Sequence, residues 1–132
     1  MAIPIASFGG GDSAVGGLIN AKLLPEYEIV HASTGLASAL AELPALASGD
    51  LSITPSSGFG TNADSGEKKV PTAIIIGGTV PPAEAEQLKA AVSAVAPAIK
   101  FVQVTKEDII AAGGAGPDVD LIVKLFKEKL AA

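Results

Sequence analysis

His31 is the one histidine of this chain, and the only side chain with an ordinary pKa close to neutrality. It lies near the end of an apolar segment, YEIVHAS, and could serve there as a general acid or base. A second group of residues lies upstream. Gly9, Gly10 and Gly11 follow the bulky Phe8, and Asp12 and Ser13 come next. Glycine has no Cβ and tolerates positive φ, so such a turn lets a ligand approach the backbone closely. Asp12 suits either the N-cap of a following helix or a carboxylate facing a ligand. The hydroxyls of Ser13, Ser33 and Thr34 suit a phosphate or carboxylate. A second turn, Gly77, Gly78 and Thr79, offers the same backbone access. His31 and Asp12 are thus the catalytic candidates. Gly9, Gly10, Gly11, Asp12, Ser13, Ser33, Thr34, Gly77, Gly78 and Thr79 are the ligand-binding candidates.

Composition narrows the chemistry. The chain has 132 residues, enough for one domain with its own core. Hydrophobic residues make up 48% and charged residues 17%, which predicts a globular fold. There is no cysteine, and one histidine cannot build a multi-histidine metal centre, so no metal site is expected. The net charge is −5, and every basic residue is a lysine. Without a basic surplus or a guanidinium, nucleic acid is not an expected partner. No apolar run is long enough for a membrane span, and no basic segment leads into a long apolar one. A cytoplasmic location is expected.

The elements that must position these residues follow from periodicity and punctuation. Residues 3–8 read as a first strand, with Pro4 at its tolerated start. Residues 13–24 read as a helix that Pro25 stops. Residues 26–32 form a second strand, whose Glu26 and Glu28 alternate with Tyr27 and Ile29 as on an edge. Residues 35–47 form a second helix, with Leu36, Leu40, Leu43 and Leu46 in one stripe. Pro44 is expected to kink it or end it early. Residues 71–77 form a third strand, and its continuous apolar run predicts burial on both faces. Thr79 and Pro81-Pro82 open a third helix, with Leu88, Ala91, Val92 and Val95 on one side. Residues 98–104 form a fourth strand at an edge. Thr105 caps a short helix over 106–112, which Gly113, Gly114 and Gly116 break. A last helix runs from Pro117 to about Leu130, with Asp118 and Asp120 in its first turn and lysines later, matching the helix dipole.

Strands alternating with helices predict a three-layer α/β/α domain over residues 1–132, Rossmann-like or flavodoxin-like. Right-handed crossovers favour a four-stranded parallel sheet ordered 2-1-3-4. The order reverses between strands one and three, so a ligand crevice is expected above their carboxyl ends, where both glycine turns fall. Residues 55–69 form a long flexible loop rich in Gly, Ser, Thr, Asn and Asp, either a lid or a connector. Ser56, Ser57 and Asn62 contact a ligand only if it closes.

Gly9, Gly11 and Ala14 match G-x-G-x-x-A, and the strand YEIVHAS follows. On these residues Met1 to Thr34 resembles the first βαβ unit of Rossmann-type proteins, including atypical short-chain dehydrogenases. The resemblance implies a nucleotide-binding fold. NAD-binding members place an acid at the end of the second strand to hold the ribose, and NADP-binding members use a nearby arginine. His31-Ala32-Ser33-Thr34 holds no acid and the chain has no arginine. The tyrosine-lysine catalytic pair is absent as well, since the only tyrosine, Tyr27, lies within strand two. NAD and NADP are therefore disfavoured cofactors.

Two classes of function fit this reading. One is a small-molecule-binding domain with a degenerate nucleotide-binding turn. It takes an anionic ligand at the ends of strands one and three, with or without catalysis by His31 or Asp12. The other is a non-catalytic, homo-oligomeric interaction module. It forms a homodimer through an edge strand or an apolar helix face; Val119, Leu121, Ile122, Val123, Leu125 and Phe126 of the last helix form a set wider than one buried stripe needs, which suits a partner on its outer side.

Overall fold

The computed structural model describes residues 3–9, 22–23, 26–33, 35–50, 52–53, 69–77, 80–114 and 119–131. Four strands, β1 (Ile3–Phe8), β2 (Tyr27–Ser33), β3 (Ala73–Ile76) and β4 (Lys100–Gln103), form one sheet. All neighbours pair in parallel, and the order is β2-β1-β3-β4. The helices are α1 (Leu36–Ala47), α2 (Pro82–Val95), α3 (Lys106–Ala111) and α4 (Val119–Ala131). Residues 22–23 are helical too. The rest of the helix expected over 13–24 and the loop expected over 55–69 lie outside the described residues, apart from Lys69.

The two faces of the sheet bury separate cores. One face sets Ala6, Phe8, Ile74 and Ile76 against Ala39 and Leu43 of α1 and Ala85, Leu88 and Val92 of α2. The other sets Ile5, Tyr27, Ile29, Ala32, Ile75 and Val102 against Leu23 and against Val123 and Phe126 of α4. Helices therefore cover both faces, giving the three-layer α/β architecture. β3 is buried at every position, because its neighbours β1 and β4 flank it and helices lie above and below. That is why its four residues, AIII, show no polar alternation.

The strands end where backbone partners run out. Ile3 donates its N–H to the Glu26 carbonyl on the β2 side, and the β1–β3 ladder begins only at Ile5 opposite Ala73. Pro4 thus falls just before the ladder on the β3 side, and the missing N–H interrupts no pairing. Pro44 neither ends nor truncates α1, which continues to Ala47. It lies in the last turn, where the Pro44 carbonyl still accepts the Ser48 N–H at 3.0 Å. The expected early stop is corrected accordingly.

α3 is anchored by a capping box. Thr105 accepts the Asp108 N–H through its hydroxyl at 3.2 Å, and Asp108 accepts the Thr105 N–H at 2.9 Å. These bonds, the Thr105 N–H foremost, hold the Asp108 carboxyl below its usual range, and Lys129 of α4 adds an ion pair at 3.2 Å. Thr105→Ala is expected to cost about 1 kcal/mol of stability. A urea titration reads this as a lower midpoint with an unchanged slope.

Candidate functional site

The carboxyl ends of the four strands form one row. Gly9 donates its N–H to the Ser33 carbonyl at 3.0 Å, and Gly77 donates to the Phe8 carbonyl at 2.8 Å. The Gln103 side chain donates to the Gly77 carbonyl at 3.0 Å. Ser33, Gly9, Gly77 and Gln103 thus follow one another across β2, β1, β3 and β4. The reversal of strand order lies between β1 and β3, directly at the two glycines.

Gly9 and Gly77 stand face to face. A Cβ on Gly9 would meet the Gly77 Cα at 3.5 Å, and one on Gly77 would meet the Gly9 Cα at 3.4 Å. Both are ordinary contacts, and neither glycine has the left-handed φ of Gly49 and Gly113. Among the described residues there is thus room for a Cβ at each position. Sequence reading brings these two residues together correctly. The other turn residues it singled out, Gly10, Gly11, Asp12, Ser13, Thr34, Gly78 and Thr79, lie outside the described residues.

Two helices begin beside this row. α1 starts at Leu36, shortly after β2, with Gly35 as its N-cap, and α2 starts at Pro82, a few residues after β3, with Pro81 as its N-cap. Neither N-terminus is capped by a side chain, in contrast to α3. Ser38, the one hydroxyl in the first turn of α1, donates to the Gly35 carbonyl at 3.0 Å instead of accepting an N–H. No acidic residue occupies that first turn.

His31 is fully buried, not displayed at the strand end. A bulge in β2 decides which way it faces. Ile5 pairs with Ile29 and Ala6 pairs with His31, which leaves Val30 as an extra residue. The extra residue shifts the side-chain parity of the rest of the strand. Without it, His31 would lie on the α4 face with Tyr27 and Ile29. With it, His31 shares the α1 face with Ala6, and Ser33 shares that face with Phe8. There His31 Nε2 lies 2.8 Å from Glu42 Oε1, on α1.

This pair has defined chemistry. A carboxylate only accepts, so Nε2 carries the proton and Nδ1 is a bare acceptor in the neutral ring. Burial lowers the His31 pKa from 6.5; the Glu42 hydrogen bond and charge oppose the shift without overcoming it. Nδ1 has no hydrogen-bond partner among the described residues, and neither does the Ser33 hydroxyl, which is 2% exposed. Buried polar atoms are normally paired, so two orphans on one strand face are unusual. Glu42 escaped the sequence reading. The signal was present: Ala39, Leu43 and Leu46 are the buried residues of α1, and Glu42 lies three beyond the first and four before the last. A carboxylate on a buried helical stripe asks for a partner.

Among the described residues, no three His, Asp or Glu side chains are grouped as metal ligands, and no helix is long and apolar enough to cross a membrane. The outer residues of α4 are less exposed than the sequence suggests. Ile122 and Leu125 are partly buried against the α4-side core, and among the described residues the large exposed apolar ones are Ile3, Val95 and Ile110. No protein-family model, curated protein or solved structure matches the chain.

Proposed function

We propose that this protein binds a small anionic molecule over the carboxyl ends of β1 and β3. The observation that carries the reading is the pair Gly9 and Gly77. They face each other at the reversal of strand order, and among the described residues nothing bars a Cβ on either. A glycine that neither backbone conformation nor packing requires is explained by something else approaching the backbone there. The Gly9 and Gly77 N–H groups are held by the Ser33 and Phe8 carbonyls. The start of α1, with no side-chain cap and no acid in its first turn, offers N–H groups without an intrahelical partner and a positive dipole end at the same edge. With no arginine in the chain, these N–H groups are the main anion donors in this reading. A small phosphate or carboxylate suits such a site better than a dinucleotide, because His31-Ala32-Ser33-Thr34 offers no ribose-binding acid.

The test is calorimetric titration of the full chain with propyl phosphate and with propionate. At least one is expected to bind, and Gly9→Ala and Gly77→Ala are each expected to weaken that binding tenfold or more. Both variants should keep the parent circular dichroism and melting temperature within a few degrees, since the added Cβ meets only ordinary contacts. Undiminished binding by both alanine variants places the anion elsewhere and ends this reading. So does the absence of binding by either probe.

A further inference from the structure

We infer that His31 Nδ1 and the Ser33 hydroxyl form a built receptor for one hydroxyl group of the bound molecule, so that the ligand is a hydroxylated anion. This inference rests on the anion-binding reading above and extends it. The argument is one of spacing and polarity. His31 and Ser33 are two apart in β2 and share the α1 face, as their partners Ala6 and Phe8 do. Alternate residues of a strand are about 6.6 Å apart at Cα. The two side chains make no hydrogen bond to each other. The Cα spacing is of the order that one shared oxygen bridges with two hydrogen bonds of ordinary length.

The polarity of that oxygen is fixed by Glu42. Because the carboxylate takes the Nε2 proton, Nδ1 can only accept. The inserted group must therefore donate one proton to Nδ1, while the Ser33 hydroxyl can donate or accept. A carboxylate or phosphate oxygen cannot donate to Nδ1. A hydroxyl donates to Nδ1 and accepts from Ser33 without burying a further charge. Ser33 connects this receptor to the anion position, because its own carbonyl holds the Gly9 N–H at 3.0 Å. The hydroxyl that fits comes either from the ligand or from a resident water, and the proposal commits to the ligand.

Two matched pairs of probes separate these sources: glycerol 3-phosphate against propyl phosphate, and lactate against propionate. Each is titrated calorimetrically into the full chain and into Ser33→Ala at pH 7.5. In the parent chain, the hydroxylated member of at least one pair is expected to bind about tenfold more tightly, the value of one satisfied hydrogen-bond pair. Ser33→Ala should reduce that preference to within about twofold. It removes an unpaired buried hydroxyl, so the fold is expected to tolerate it. A second readout is the 15N spectrum of His31, with Nε2 protonated throughout and the Nδ1 resonance moving only with the hydroxylated probe.

Equal binding within both pairs means a resident water only; it overturns the hydroxyl receptor and leaves the anion site standing. A preference that survives Ser33→Ala puts the hydroxyl elsewhere and also overturns it. If none of the four probes binds, the anion reading fails and the receptor fails with it.

Discussion

Replacing Ile74 with alanine is expected to remove about 3 to 4 kcal/mol of stability, within the usual range for a buried isoleucine. Ile74 is 0% exposed and sits in the second position of β3, between β1 and β4. Its side chain belongs to the core shared with α1 and α2. β3 has only four residues and pairs with β1 on one side and with the edge strand β4 on the other. Little room for local collapse exists around a strand held on both edges and both faces, so the cavity term should be large. The melting temperature should fall by about 10 °C or more for a domain of this size. A loss under about 1 kcal/mol in urea unfolding would place Ile74 outside the core. Ile74→Val serves as the graded control, with an expected cost near 1 kcal/mol.

Much of this architecture was legible because it rests on local signals. The continuous run Ala73 to Ile76 can only be a strand buried on both faces, and the structure has it so. Thr105 followed by Asp108 is a capping signature, and it forms. The strand order follows from handed crossovers once the βα alternation is recognised. What escaped depends on contacts distant in sequence or on exceptions to regular period. The bulge at Val30 leaves no mark in the hydrophobic pattern, because Val30, His31 and Ala32 are all compatible with either face. The sequence therefore placed His31 at the carboxyl edge without giving its face, its burial or its partner. Glu42 was visible only as a charge on an apolar helix stripe, eleven residues from His31. Pro44 reads as a helix breaker, yet α1 continues to Ala47; the proline forfeits its own N–H bond to the preceding turn, while its carbonyl and that of Ala45 still accept the Ser48 and Asp50 N–H groups. At the site, Gly9 and Gly77 were placed together from topology alone, whereas the orphaned Ser33 hydroxyl required coordinates.

The buried histidine also makes stability depend on pH in a direction that can be worked out. Burial is the largest influence on His31, and it disfavours the imidazolium; the bond and charge of Glu42 pull the other way and are outweighed. The folded pKa therefore lies below the unfolded value of 6.5. Below pH 6.5 the unfolded chain takes up a proton that the folded chain resists. The stability this group contributes is complete above pH 6.5 and is lost as the pH falls through the folded pKa. The physical cost is visible at Nδ1: protonation creates a charged donor with no acceptor among the described residues. Asp108 and Asp50 are also held below the ordinary value of 3.8, so their losses begin only in the carboxylate range. His31 is the one histidine of the chain, and the window from pH 7 to pH 5 brackets the onset of its titration. Urea unfolding across it should show stability falling by up to about 1.4 kcal/mol per pH unit below 6.5 until the folded group itself titrates. His31→Gln keeps an Nε2 donor for Glu42 without a titrating ring, and its stability should be level over the same window. A parent chain that gains stability on acidification would mean that the Glu42 charge, not burial, governs the imidazole, and that His31 is held as a cation against α1.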